Sequence, residues 1–301
     1  VKAFSFLTQK NEMNIGIRME DEDFNLTQAF DIYQRAKHIQ QPVSFSYIQV
    51  MVEMGYFSSQ TVEKIFSDPW VQAKKDRLKI DDTVRFDLPI ARPSKIICIG
   101  RNYLAHAREL NHEVPAEPVY FAKAPSSLLP HEADIVIPSW FEGRVDHEAE
   151  LAFVIGKAGR DIPESEAMDH IAGYTIANDV TARSMQKDDI AKGNPWFRSK
   201  SFDTFCPTGP FLVPPGVIPD PHDLEIKLTV NGQVRQQAGT SQMLFRIPQL
   251  IHAISRCMTL QPGDIIATGT PEGVSELKPG DIVDITITGL GTLRNRVTRG
   301  A

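Results

Sequence analysis

From Asp146 to Ile155 the chain reads DHEAELAFVI, and no other stretch limits its possible folds as tightly. In an extended strand, residues i, i+2 and i+4 face the same side, so Asp146, Glu148 and Glu150 point together. Neighbouring carboxylates repel and raise one another's pKa. Three arrangements offset that cost: the face lies in water, basic groups oppose it, or a divalent cation binds it. A solvated edge is the ordinary explanation for an acidic strand. Here Leu151 to Ile155 are continuously apolar, so the strand dives into a core, which points to a site at its mouth. Oxygen ligands favour a hard cation, Mg2+ or Mn2+, over Zn2+, and such an ion keeps open positions for water or substrate oxygens. Asp179 is the third candidate ligand. It follows the apolar run Gly173 to Asn178, a place where a lone Asp is more often a turn or cap residue, and it gains weight from the pair Glu148 and Glu150.

The rest of the chain narrows the class. Lys plus Arg is 32 and Asp plus Glu is 38, a formal charge of −6, which argues against nucleic acid as a partner. No apolar run reaches the roughly 18 residues of a membrane helix. The opening VKAFSFLTQKNEMNIG lacks the apolar centre of a secretory signal. Cys98, Cys206 and Cys257 are far apart, without metal-type pairing. They read as free thiols in a reducing compartment, so a cytoplasmic protein is expected.

Residues 1–90 open with a short hairpin pattern and continue with helix-compatible segments at Leu26 to Ile39, Ser44 to Met54 and Thr61 to Leu78. A Pro-punctuated stretch, Leu88 to Ser94, suits a linker. The expected organisation is therefore a smaller α/β accessory domain over residues 1–90 and a catalytic domain over 91–301. Strands are expected at Ile96 to Gly100, Glu148 to Ile155 and Gly173 to Asn178, with a short helix near Glu164 to Ile171. Leu224 to Val230 alternates apolar and polar residues and meets Asn231-Gly232, a strong hairpin signal because both turn residues need positive φ. Pro248 to Cys257 reads as an amphipathic helix with Pro in its first turn. Pro-Gly-Asp turns at 262–264 and 279–281 each lead into a β-branched strand. The fold class is mainly β with α+β elements, a sandwich or barrel-like roll.

Six segments in order, CIGRNYLAHARE, DHEAELAFVIG, ANDVTARSMQ, KSFDTFCPTGP, VNGQVRQ and GDIIATGTPEGV, resemble the fumarylacetoacetate hydrolase family over about residues 95 to 298. The resemblance implies a mixed β-sandwich roll, a homodimer, and one Mg2+ or Mn2+ per site held by Glu148, Glu150 and Asp179, with Asp146 in support. It implies that Lys200 acts near the metal, that Gln186 faces the substrate and that Thr270 holds a substrate carboxylate. It also implies that His106 and Glu109 form a lid pair activating water. From spacing alone that pair would pass for polar residues on one helix face. Arg101, Tyr103 and Lys123 also suit the pocket, although a structural role is an equal reading for each.

The function implied is a metal-dependent hydrolase that cleaves a C–C bond in an acylpyruvate-type 2-oxo acid, of the fumarylpyruvate kind. The metal would act as a Lewis acid toward an enolate of pyruvate type. Oxaloacetate decarboxylation and isomerisation of 2-hydroxyhepta-2,4-diene-1,7-dioate would use the same carboxylates. A binding or regulatory member without turnover is the minority alternative. Other motifs are absent: Gly269 to Gly273 lacks a P-loop ending, Gly289-Leu290-Gly291 has no following helix, and no Gly-x-Ser-x-Gly elbow occurs. His170 and His252 read as packing or surface residues.

Overall fold

The structure, a computed structural model, describes residues 1–39, 43–80, 84–105 and 115–301. Its principal sheet is assembled from distant parts of the chain. Among the described residues the order is Glu22–Asn25, Met13–Met19, Lys2–Leu7, Cys206–Val213, Ile171–Asn178, Ala149–Ile155, Ile265–Ala267, Ile96–Gly100 and Val119–Lys123. Pairing along this path is antiparallel except where Ile265–Ala267 runs parallel to Ile96–Gly100. A second sheet has the order Gln233–Gly239, Glu225–Val230, Ile282–Ile287, Gly291–Arg299 and Asp134–Ile137. The fold is thus mainly β with short helices, in the mixed-sheet class expected.

The period of two in each central strand decides what covers each face. Leu151, Phe153 and Ile155 join Ile97, Ile99 and Ile176 in one core. Opposite them lie Ile226, Leu228, Val283, Ile285 and Leu293 of the second sheet, with Leu250, Ile251 and Ile254 of the Ile247–Cys257 helix. Ala152, Val154, Ile96, Cys98 and Ala267 face the other way. There they meet Leu26, Phe30, Phe45, Met51, Ile65 and Phe66 of the N-terminal segment. Each fully buried Leu, Ile or Phe contributes roughly 1.5–3 kcal/mol, so both faces of the central strands are strongly held.

The N-terminal strands extend the same sheet through the pair Ala3↔Leu212. Helix Leu26–Ala36 starts where the Asn25 side chain accepts from the Gln28 amide at 2.9 Å. The helical stretch expected over Thr61 to Leu78 is divided into Ser59–Phe66, Pro69–Gln72 and a 3-10 turn at Lys75–Leu78. Pro69 cannot continue a helix, while Asp68 accepts from the Trp70 amide at 2.9 Å and starts the next one. Asn231 and Gly232 take φ of 52° and 78°, closing the hairpin expected there.

Candidate metal centre and substrate cleft

Glu148 precedes the strand Ala149–Ile155 and Asp179 follows its neighbour Ile171–Asn178. The register Ala149↔Asn178 brings the two acids side by side. It is locked on both sides: the Asp179 amide donates to the Glu148 carbonyl at 2.9 Å, and the Asn178 side chain accepts from the Glu148 amide at 3.0 Å. Glu148, Glu150 and Asp179 are all buried, and each offers a carboxylate oxygen within 4.8 Å of the others.

Buried carboxylates need compensation, and three cations supply part of it. Lys200 Nζ donates to Glu148 at 2.8 Å and to Asp179 at 2.6 Å. Lys123 Nζ donates to the other Asp179 oxygen at 2.6 Å and to the Val180 carbonyl at 3.2 Å. Arg183 bridges Asp146, at 2.8 Å, and Glu148. Asp146 therefore reaches the centre through Arg183, and Arg144 holds its second oxygen at 2.5 Å. Burial favours a neutral Lys200, but the adjacent Asp179 and Glu148 prevail and keep its ammonium above the ordinary lysine value.

Glu150 differs from the other two acids. Its carboxylate accepts from the Gly269 amide at 2.8 Å, and among the described residues no lysine or arginine forms an ion pair with it. Burial first, then Asp179 and Glu148, push its carboxyl well above the usual carboxylate range. A buried acid whose charged form is disfavoured by burial and by two further carboxylates is the electrostatic setting that a divalent cation relieves. All the donors are hard oxygens, so the residues fit Mg2+ or Mn2+, with Glu148, Glu150 and Asp179 as its holders.

Arg101, Gln186 and Thr270 line one cleft with Glu148 and Lys200. The Thr270 hydroxyl donates to the Ala149 carbonyl at 2.9 Å and accepts from Gln236 Nε2 at 2.8 Å. Gln186 accepts from Arg183 at 2.6 Å. Tyr103 is 1% exposed, and its hydroxyl has no hydrogen-bond partner among the described residues. Burial, with Glu150 and Glu272 nearby, pushes its phenol far up, so it stays neutral. His106 and Glu109 lie outside the described residues.

Several supporting residues were missed in the sequence. Arg183 stands three residues before Gln186 at the start of the Arg183–Ala191 helix, a spacing that places both on one face. His147 is buried, its Nδ1 2.9 Å from Gln236 Oε1 and its Nε2 2.8 Å from Ser275 Oγ. Because the Gln236 amide nitrogen donates to Thr270 and the Pro271 carbonyl, its oxygen accepts, which assigns the His147 proton to Nδ1. Burial pushes the pKa of His147 down. Trp196, followed by Phe197 in an otherwise polar stretch, forms a wall of the cleft.

Comparison with known proteins identifies the family. Residues 95–298 match the family described as Fumarylacetoacetate (FAA) hydrolase C-terminal. Oxaloacetate tautomerase fahd2, mitochondrial, from Xenopus laevis is 49% identical over 216 residues, covering 69% of this chain and 67% of its own length. A fumarylacetoacetate hydrolase from the psychrophile Exiguobacterium antarcticum superposes with a TM-score of 0.82 at 32% identity, covering 99% of both chains. Maleylpyruvate hydrolase from Sphingobium sp. SYK-6, solved with manganese(II) and pyruvate, gives a TM-score of 0.78 at 29% identity over 100% of both chains. Two-thirds of the sequence and nearly the whole tertiary structure lead to the same conclusion: this chain belongs to the fumarylacetoacetate hydrolase family.

Proposed function

We propose that the protein is a divalent-metal-dependent enzyme that acts on a 2-oxo acid by way of its enolate, with C–C bond hydrolysis of an acylpyruvate as its reaction. The observation that carries this reading is the buried trio Glu148, Glu150 and Asp179, its oxygens within 4.8 Å of one another beside the Lys200 ammonium. When bound there, Mg2+ or Mn2+ supplies Lewis acidity toward the oxygens of the 2-oxo acid.

The chain's own groups do the rest. Lys200 is 2% exposed and keeps its charge, so it stabilises negative charge developing on a substrate oxygen in a setting with little water to screen it. Gln186 and Thr270 orient the bound acid along the cleft. His106 takes a proton from water, and Glu109 holds the imidazole. The hydroxide adds to the distal carbonyl and the C–C bond breaks. Its electron pair passes to the pyruvate fragment as the enolate, which is then protonated.

A second reading has its own support. The 49% identity to an oxaloacetate tautomerase favours proton transfer between the keto and enol forms of oxaloacetate. The two reactions share the carboxylates and Lys200 and differ in whether water attacks. Product analysis on acylpyruvates and oxaloacetate separates them. His106→Ala is expected to abolish hydrolysis of acylpyruvates. Treatment with EDTA is expected to remove activity on every substrate, and added Mg2+ or Mn2+ to restore it. Full turnover by metal-free protein would defeat both readings.

A further inference from the structure

Arg101 has an unusual conformation for its position. Its φ is 61°, in the left-handed region that residues other than glycine seldom occupy. The surroundings impose this. Before it, Ile96–Gly100 is fixed in the sheet. After it, Asn102 is fully buried and held on three sides. The Asn102 side chain donates to the Phe245 and Thr268 carbonyls at 3.0 and 2.8 Å and accepts from the Phe245 amide at 2.8 Å. Backbone strain that the structure over-determines in this way is typical of functional positions.

The side chain then enters the cleft. Its Nε is buried without a hydrogen-bond partner, and no acidic residue among the described ones forms an ion pair with it. The guanidinium lies 5.7 Å from the ring of Trp196. Trp196 rests so close to the backbone that a Cβ on Gly100 would come within 2.8 Å of its ring. The loop carrying Trp196 is fixed in turn by Asp189, which accepts from the Asn194 amide side chain at 3.3 Å and pairs with Arg198 at 2.6 Å. Trp196 packs on Phe121 with ring centroids 5.4 Å apart, and Lys200 Nζ lies 4.9 Å from the Phe121 ring. One wall of the cleft is therefore a cation, two aromatic rings and a second cation. Lys200 already donates to Glu148 and Asp179, whereas Arg101 has no acidic partner among the described residues.

We propose that Arg101 receives the second carboxylate of a dicarboxylic 2-oxo acid and so selects dianionic substrates over monoanionic ones. This rests on the reading of the site as one for 2-oxo acids and adds the residue that meets the far end of the substrate. The aromatic wall suits the apolar stretch between the two ends of such a molecule, and a guanidinium fork suits a terminal carboxylate.

Titration calorimetry on the Mn2+-loaded protein tests it with two pairs of probes: 2-oxoglutarate against 2-oxopentanoate, and 2-oxoadipate against 2-oxohexanoate. The native protein should bind at least one dicarboxylate about tenfold or more tighter than its monocarboxylate counterpart, the size of a charge-assisted contact. Arg101→Gln should bring that ratio close to one, chiefly through loss of dicarboxylate affinity. Arg101→Gly should do the same while relieving the backbone at φ 61°, so its melting temperature should not fall. Retention of the ratio in either folded variant, equal loss of both ligand types, or absence of a preference in the native protein would overturn the proposal. Failure of both variants to fold would assign Arg101 to structure and overturn it too. If the native protein binds no 2-oxo acid at all, the proposed function itself falls, an outcome distinct from binding without discrimination.

Discussion

Arg183 shows how much a single side chain organises here. It is 5% exposed and donates to Asp146, Glu148 and Gln186 at once. Removing one member of a buried ionic network leaves the others uncompensated, a loss of about 3–5 kcal/mol. Arg183→Met should therefore lower the unfolding free energy by about 3–5 kcal/mol in a urea titration. Arg183→Lys should recover only part of it, because an ammonium cannot span the same three acceptors in one plane. The alternation of Asp146, Glu148 and Glu150 was legible in the sequence as charge that needs an answer. Which cation answers which acid was not, because Lys123, Arg183 and Lys200 come from three separate segments and ordinary lysines and arginines look the same in the text.

At the scale of elements, the turn after Ile265–Ala267 places a backbone amide instead of a side chain. Gly269 has φ 95°, and a Cβ there would lie 2.9 Å from Asn102 Cβ and 3.1 Å from the Ile99 carbonyl. In that conformation the Gly269 amide donates to Glu150 at 2.8 Å. Gly269→Ala should cost about 1–3 kcal/mol of stability, the range for strained backbone, and should weaken Mn2+ affinity measured by calorimetry as Glu150 loses its donor. Most elements around the site were readable from local chemistry. The Pro-Gly-Asp turns are one example: Asp264 and Asp281 each accept from the amide three residues earlier, Gln261 at 2.7 Å and Lys278 at 2.8 Å. The helix division at Pro69 was also written locally, in Asp68-Pro69, and is a case where the helical period alone misleads.

The molecule as a whole depends on neutral histidines at three separated places. His131 packs edge-on to Phe86 with ring centroids 5.1 Å apart. His147 lies beneath the cleft, and His222 Nε2 accepts from the Ile247 amide at 3.1 Å at the start of the Ile247–Cys257 helix. Burial pushes the pKa of each below the ordinary histidine value of 6.5. The unfolded chain therefore binds protons first as pH falls, so this contribution is complete above about pH 6.5 and is lost on acidification. The urea midpoint should drop between pH 7.5 and pH 5.5. In His222→Gln, which removes one titrating group, the drop should be smaller. An equal drop would show that His222 protonation does not limit folding.

The sequence by itself determined the strand that carries Glu150 and begins just after Glu148, the hairpin at Asn231-Gly232 and the class of fold, because alternation, turn chemistry and apolar runs are properties of neighbouring residues. It also carried the family resemblance, through six short segments in order. Only the tertiary structure decided the register that carries Asp179 to the acidic pair, that Lys123 and Lys200 share its two oxygens, and that Arg101 lines the cleft with no acid paired to it among the described residues. Those are contacts between strands and loops far apart in the chain. They are fixed by sheet register and by burial on both faces of the central strands, quantities that no local stretch of residues contains.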